Sequence, residues 1–318
     1  LVTARTQLVA GDTVLDIGSN DATLLKCYQN SGLNRWGVDP SAEQFRAFYP
    51  DDIAALPRLF DADEFLDAAG DKAKIITSIA MFYDLPDPNS FVSGIARSLR
   101  MDGIWLLEQS YLPTMIKQNA YDTICHEHLE YYGLGPLSDL MQRHGLKVID
   151  VSLNKTNGGS FQVFVSHDTA AKSVNPDVER LIAWEKAQGF DSIGPIHAFK
   201  RRVDELRREL RSFLCDIRRS GKSVFVYGAS TKGNTLLQYC GIDHSIVEAA
   251  ADRNPEKWGK YTPRTNIPII SEEEARQHKP DFFLVLPWHF KDGFLKREAG
   301  FLANGGHMIF PLPQLYVI

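Results

Sequence analysis

The stretch Ile124-Cys125-His126-Glu127-His128-Leu129-Glu130-Tyr131-Tyr132 gathers two imidazoles, two carboxylates, two phenols and a thiol within nine residues. A solvated surface does not need that mixture. An apolar core absorbs it only at a cost of about 1–3 kcal/mol for each polar group left without a partner. The segment is therefore either a hydrogen-bonded structural knot or proton-transfer machinery. His126 and His128 read as satisfied interior histidines at a helix start, or as acid–base groups, since an imidazole titrates near neutrality. What precedes them bears on the choice.

Upstream, Val14-Leu15-Asp16-Ile17-Gly18-Ser19-Asn20-Asp21 is an apolar strand running into a turn, with a helix to follow. Such a turn presents backbone N–H groups to a nucleoside cofactor. A dinucleotide would need G-x-G-x-x-G. Here only Gly18 is present, and Asn20 and Thr23 stand where the other glycines belong, crowding a pyrophosphate. S-adenosylmethionine has no phosphates. Its amine wants a carboxylate (Asp16 or Asp21), and its ribose diol wants an acid at the end of the second strand, where Asp39 stands. In open parallel sheets ligands bind beyond the carboxyl ends of strands, so Ser78 to Asp84, with Ala80 among them, would line the same crevice. Asp84 is either catalytic or a turn residue before Pro86.

A second turn, Gly228-Ala229-Ser230-Thr231-Lys232-Gly233-Asn234, resembles a P-loop only superficially, because Lys232 precedes rather than follows Gly233. It still offers backbone N–H groups, a helix start and a cation, which suit a phosphate or diphosphate. Ser230, Lys232 and Asn234 are its candidate contacts, and a nucleotide-sugar diphosphate would fit. A tight turn with a solvated lysine is the alternative.

The elements that must position these residues alternate. Strands are expected at Thr13–Ile17, Arg35–Val38, Ala73–Ser78 and Gly103–Glu108, with helices at Ala22–Gln29, Ala42–Phe48, Asp61–Ala69 and Ser90–Leu99. That is the pattern of a doubly wound parallel sheet. A helix at Pro136–His144 leads to two strands, Lys147–Ser152 and Ser160–Ser166, which read as an antiparallel pair at the sheet edge. A helical segment near Val178–Ala187 follows. Phe199, Val203, Leu206, Leu210, Phe213 and Ile217 recur at steps of three and four along a long helix, Ile196–Arg219. A second βα pattern then places strands at Val224–Tyr227, Ile246–Ala250, Phe282–Leu286 and Gly306–Ile309, with helices at Asn234–Tyr239 and near Asp292–Leu302. The expected fold class is α/β: a Rossmann-like doubly wound domain over 1–168, a helical connector over 169–219 and a second Rossmann-like domain over 220–318.

Composition is that of an ordinary globular protein: 318 residues, 44% hydrophobic, net charge −5. The acidic balance argues against nucleic acid as main partner. Cys27, Cys125, Cys215 and Cys240 form no Cys-x-x-Cys and match no zinc spacing, and a reducing, cytoplasmic setting is expected. His126, His128 and Glu130 have the spacing to hold a metal, but none is expected. No apolar run approaches the ~20 residues of a membrane helix.

Taken together, VLDIGSND (14–21), MFYDLPDP (81–88), YDTICHEHLEYYGL (121–134), NGGSFQVFV (157–165), VYGASTKGNTLLQYCGI (226–242), PDFFLVLPWHF (280–290) and GGHMIFPLP (305–313) resemble the S-adenosylmethionine-dependent sugar C-methyltransferases. These act on nucleotide-linked 4-keto-deoxysugars at C3, and the stretches fall in family order over nearly the whole chain. The resemblance implies S-adenosylmethionine as cofactor, a nucleotide sugar as substrate and His128 as the base, with Glu127 orienting it or holding a sugar hydroxyl. The enolate formed would need a donor from Tyr131, Tyr132, His126 or Asn157. Two features depart from the family. Its Cys-rich zinc module and the Tyr-rich segment after it have no counterpart in these 318 residues. Cys125 and Asp84 also stand where family members often have Tyr and His, which points to a subgroup. Three other readings stay open: an NAD(P)-dependent nucleotide-sugar oxidoreductase or epimerase, an O- or N-methyltransferase, and a sugar-nucleotide binding module without turnover.

Overall fold

The computed structural model describes residues 2–318 and separates into two compact units. The first runs to Leu112 and resumes over Leu129–Asp191; the second comprises Pro113–His128 and Ser192–Ile318. The segment carrying His126 and His128 thus packs with the second unit, although in chain order it interrupts the first.

The first unit holds a seven-stranded sheet. Its strands are β1 (Thr13–Ile17), β2 (Asn34–Val38), β3 (Ile53–Leu56), β4 (Ala73–Ile79), β5 (Leu99–Ser110), β6 (Leu146–Asn154) and β7 (Ser160–His167), in the order β3-β2-β1-β4-β5-β7-β6. β1 to β5 pair in parallel, and β7 and β6 close the edge antiparallel, as their Val- and Phe-rich alternation around a glycine turn requires. All five residues of β1 are buried, because both faces of the sheet are covered. Ile17, Ile76, Trp105 and Leu107 lie in one apolar cluster, and Val14, Ile75, Ile104 and Phe164 in the other. The strand order reverses between β1 and β4, so the crevice beyond their carboxyl ends is the place for a ligand.

Some expected elements shorten here. The first helix is only Thr23–Lys26. Ala42–Phe48 is not a helix: Asp39 takes the Ser41 N–H and hydroxyl at 2.7 and 2.6 Å, and the chain then goes through turns to a single 3-10 turn at Arg46–Phe48. A side chain that satisfies the local backbone competes with the helix ladder.

The second unit holds a six-stranded sheet of β8 (Val224–Tyr227), β9 (Ala250–Asp252), β10 (Ile269–Ser271), β11 (Phe282–Val285), β12 (His307–Phe310) and β13 (Tyr316–Val317). The order is β10-β9-β8-β11-β12-β13, parallel except for β13. The helix Gly194–Arg219 buries Phe199, Val203, Leu210 and Ile217 of the expected stripe together with Leu214, while Leu206 and Phe213 are only half-buried. Among the described residues no helix is long and apolar enough to cross a membrane.

Two expectations are corrected in this unit. The strand placed at Ile246–Ala250 begins only at Ala250, because Ile246 and Val247 N–H groups turn back to the Asp243 carbonyl. The helix near Asp292–Leu302 is two, Lys291–Arg297 and Ala299–Ala303, parted at Glu298. Its carboxylate is buried among Arg276 and the Tyr227 hydroxyl, and those bonds hold the break.

Candidate functional site

The turn after β1 takes positive φ at Gly18, Asn20 and Ala22, at 78°, 47° and 61°. Gly18 is required there: a Cβ would also press on the Met81 side chain at 3.2 Å. Tyr49 braces the turn, donating its hydroxyl to the Asn20 carbonyl at 2.9 Å. The Asn20 N–H donates to Asp39 Oδ2 at 2.9 Å. The ends of β1 and β2 are thus tied through one carboxylate.

Two cavities meet at Gly18. The larger, about 600 Å³, is lined by Asp16, Asn20, Asp21, Tyr28, Thr77 and Glu108 among others. The smaller, about 480 Å³, is lined by Asp39, Phe60, Asp61, Met81 and Asp84 among others. The larger lining holds three carboxylates, Asp16, Asp21 and Glu108, and among the described residues no Lys, Arg or His. Such a lining repels a pyrophosphate and suits a ligand carrying positive charge. S-adenosylmethionine carries a sulfonium and an ammonium, so the residues present fit that group.

Asp16 is nearly fully buried and accepts the Thr77 hydroxyl at 2.5 Å. Burial pushes its carboxyl up to about 7, against the pull of the Thr77 bond. Tyr28 beside it is pushed above the ordinary phenol value by burial and then by the Asp16 charge. A cation entering this cavity favours the ionised carboxylate, so donor binding near pH 7 should expel part of a proton, up to about half. Calorimetric titrations in two buffers of different ionisation enthalpy check this: the apparent binding enthalpy must vary with the buffer, and in Asp16→Asn the variation must shrink.

The remaining cofactor candidates divide. Asp21 caps its own turn, accepting the Thr23 N–H at 3.0 Å, and stays exposed to the cavity. Ala80 has φ 55° and donates its N–H to the Glu108 carbonyl at 2.8 Å, so its backbone shapes the end of β4. Ser78 is corrected: its side chain is fully buried and accepts the Trp105 indole N–H at 2.9 Å, away from the crevice. Met81 falls within the Ser78–Asp84 run expected to line the crevice; Phe60, Asp61 and Glu108 were not singled out from the sequence. Their one signal was position, just beyond or within strand ends, and Asp61 there reads as a helix cap, which it also is.

In the second unit the residues of three distant segments converge. Gly228, at φ 88°, sits where a Cβ would meet Pro287 at 2.7 Å, so the glycine turn packs directly against the 286–290 segment. Trp288 of that segment donates its indole N–H to Asp122 at 3.0 Å. Asp122 is buried, and burial pushes its carboxyl up to about 6, against the Trp288 bond and the Lys232 charge. His128 is half-buried. Burial and then the Lys232 charge hold its imidazole below the ordinary histidine value, against the Thr123 backbone and Glu127. Burial and Lys232 push His289 down to about 4. Both imidazoles are therefore neutral at pH 7, the state a base requires. Lys232 is the charge common to all three.

Ser230 is the N-cap of the helix Thr231–Cys240 and accepts the Gly233 N–H at 3.1 Å, so its hydroxyl is engaged in the turn. His126 and Asn234 line a cavity of about 570 Å³ with Thr231 and Arg264. Glu127 is exposed, and one of its carboxylate oxygens lies 4.0 Å from the His126 imidazole. Asp122 and His289 were not singled out from the sequence; Asp122 takes its bond from Trp288, 166 residues on, and His289 meets the Lys232 charge only through the fold.

The other candidates lie in the first unit. Tyr131 is half-buried, and Asn157 is exposed in the β6–β7 turn at φ 51°. Tyr132 is buried, its ring packed in the apolar core 5.3 Å from Phe82.

Comparison with known proteins agrees with both halves. Residues 2–151 match the methyltransferase domain family, and residues 155–313 match the C-methyltransferase C-terminal domain family. The C-methyltransferase NovU of Streptomyces niveus is 34% identical over 320 residues, spanning 100% of this chain and 76% of NovU. Among solved structures, an S-adenosylmethionine-dependent methyltransferase from Mesorhizobium loti is 13% identical, with a TM-score of 0.40 over 52% of this chain and 94% of that one. A chain of the complex containing the Haloferax volcanii Trm112 methyltransferase activator is 20% identical, with a TM-score of 0.42 over 52% and 87%.

Proposed function

Since the chain belongs to the S-adenosylmethionine-dependent C-methyltransferase family, we propose that it methylates a nucleotide-linked 4-keto-sugar at the carbon next to the ketone. The single observation that carries this reading is His128, half-buried and kept neutral by burial and Lys232. A methyltransferase acting on oxygen or nitrogen has less need of a base able to take a carbon-bound proton, and a ketone lowers the cost of that step. His128 takes the proton from C3, and Glu127 orients the substrate or the imidazolium. Tyr131 or His126 donates to the oxygen on which the charge develops. When bound, S-adenosylmethionine supplies an electrophilic methyl group to the resulting carbon nucleophile.

On the donor side, Asp16, Gly18, Asn20 and Asp21 form the larger cavity, and Asp39 meets the ribose diol. Asp84, in the smaller cavity, belongs to this donor and substrate machinery. On the substrate side, Lys232 and the start of the helix Thr231–Cys240 take the diphosphate, with Asn234 near it. Asn157 contributes from the β6–β7 turn. By chain order the proposed division is 1–168 for the donor, 169–219 as a helical connector and 220–318 as a second Rossmann-like domain for the nucleotide sugar, although Pro113–His128 and the helix Gly194–Arg219 pack with the second unit. The setting proposed is cytoplasmic, where such sugars are made and used.

The test is product analysis. Incubation with S-adenosylmethionine and a set of nucleotide 4-keto-deoxysugars should yield a product one methylene heavier, with the new methyl coupled to carbon C3 in the NMR spectrum. A methyl on oxygen or nitrogen would overturn the reading. So would turnover of NADPH on the same substrates, which would favour the oxidoreductase class.

A further inference from the structure

Along β5, Leu106 and Glu108 face the same side. Thr77 pairs with Leu106 and with Asp16, and Ile79 with Glu108, so the Glu108 side chain stands one step beyond Asp16 on the cavity side of the sheet. It is half-buried and lines the larger cavity. The β6–β7 edge grips it: Asn154 Nδ2 donates to Oε1 at 2.9 Å, and Gln162 Nε2 donates to Oε2 at 2.6 Å. Both partners are neutral amides. Each carboxylate oxygen keeps a free lone pair, and the charge is fixed in place with no cation in the cavity lining among the described residues.

A second observation in the same cavity points to a ligand. Tyr28 is 5% exposed and lines the cavity, and its hydroxyl has no hydrogen-bond partner among the described residues. A buried donor left unpaired is costly unless something completes it. One cavity thus presents an oriented anion and an orphaned O–H donor. The amino-acid end of the methyl donor offers an ammonium to the first and a carboxylate to the second.

We infer that Glu108 recognises the ammonium of the donor's methionine moiety, held in position by Asn154 and Gln162. The inference rests on the larger cavity being the donor's, as proposed above. It makes the antiparallel edge of the first sheet part of the donor site rather than a mere closure.

Calorimetric titration of Glu108→Gln with S-adenosylhomocysteine and with 5′-methylthioadenosine, which lacks the amino-acid end, tests it. Affinity for S-adenosylhomocysteine should fall about tenfold to a hundredfold, the usual weight of a charge-assisted hydrogen bond. Affinity for 5′-methylthioadenosine should stay within about twofold, which also shows that the fold is intact. Gln162→Met, which loosens the grip on the carboxylate, should give a smaller loss of the same selectivity. Equal losses for both ligands, or none for either, would overturn the assignment. So would a loss for S-adenosylmethionine without one for S-adenosylhomocysteine, which would place the contact at the sulfonium. If the wild-type protein bound neither ligand, the donor reading would fall and this assignment with it.

Discussion

His128→Ala should lower turnover by about 10²–10⁴-fold, the usual contribution of a positioned base, while leaving donor affinity nearly unchanged. The selectivity follows from placement. His128 lies in the second unit, whereas the Asp16–Asp21 turn that forms the donor cavity lies in the first. Removing the imidazole leaves that cavity intact. The pH profile carries a second signature. Burial and Lys232 depress the folded-state value of His128, so the neutral base persists below the ordinary histidine value near 6.5. Activity should fall on the acid side only as pH drops through that depressed value. Lys232→Met should move the acid limb upward by removing the repelling charge. Stopped-flow or steady-state rates across pH 5 to 9, in wild type and both variants, check all three. Retained turnover in His128→Ala would sink the assignment of the base.

Asp39→Ala should weaken donor binding by about tenfold to a hundredfold and destabilise the turn that forms the cavity. Asp39 accepts three hydrogen bonds, from Asn20 N–H, Ser41 N–H and the Ser41 hydroxyl. Losing them releases the positive-φ geometry at Asn20, and the proposed ribose contact goes with it. Hydrogen bonds to charged groups are worth about 1.5–3 kcal/mol each, with much of the turn's share able to relax onto water. Asp39→Asn separates the two roles, since an amide keeps a carbonyl acceptor for the turn but loses the charge. Its donor affinity should lie between those of wild type and Asp39→Ala. Isothermal titration measures the affinity, and thermal unfolding measures the turn's share. An unchanged affinity in Asp39→Ala would remove the ribose contact from the account.

The parallel strands β1, β2, β4, β5, β8, β11 and β12 were legible because buried strands read as short apolar runs between turn residues. The glycine turn after β1 and the edge hairpin β6–β7 were legible for the same reason, helped by Gly18 and Gly159. Short strands were not. β3 is Ile-Ala-Ala-Leu, β10 is Ile-Ile-Ser and β13 only Tyr-Val, too brief to carry a period. Local side-chain bonding defeated the helix expected at Ala42–Phe48, as the Asp39–Ser41 contacts show. At the site, residue type located the chemistry but not the direction of each side chain. Tyr132 and Ser78 stand beside candidate residues in the sequence, yet both turn into the core. Asp122 and His289 lie in the matching stretches 121–134 and 280–290 but were not singled out, because their burial is created by segments brought together only in the fold. Glu108 was hidden in an apolar strand, and only its Asn154 and Gln162 partners reveal an oriented carboxylate.

The central claim is that His128 removes a carbon-bound proton from a keto-sugar before methyl transfer. The most direct measurement is hydrogen exchange at C3, with S-adenosylhomocysteine in place of the donor so that no methylation competes. A nucleotide 4-keto-deoxysugar is incubated with enzyme in deuterated water, and the C3 proton signals are followed by NMR. Wild type should exchange one C3 proton far faster than the uncatalysed control, and His128→Asn should exchange at the control rate. Exchange at the wild-type rate in His128→Asn would contradict the account.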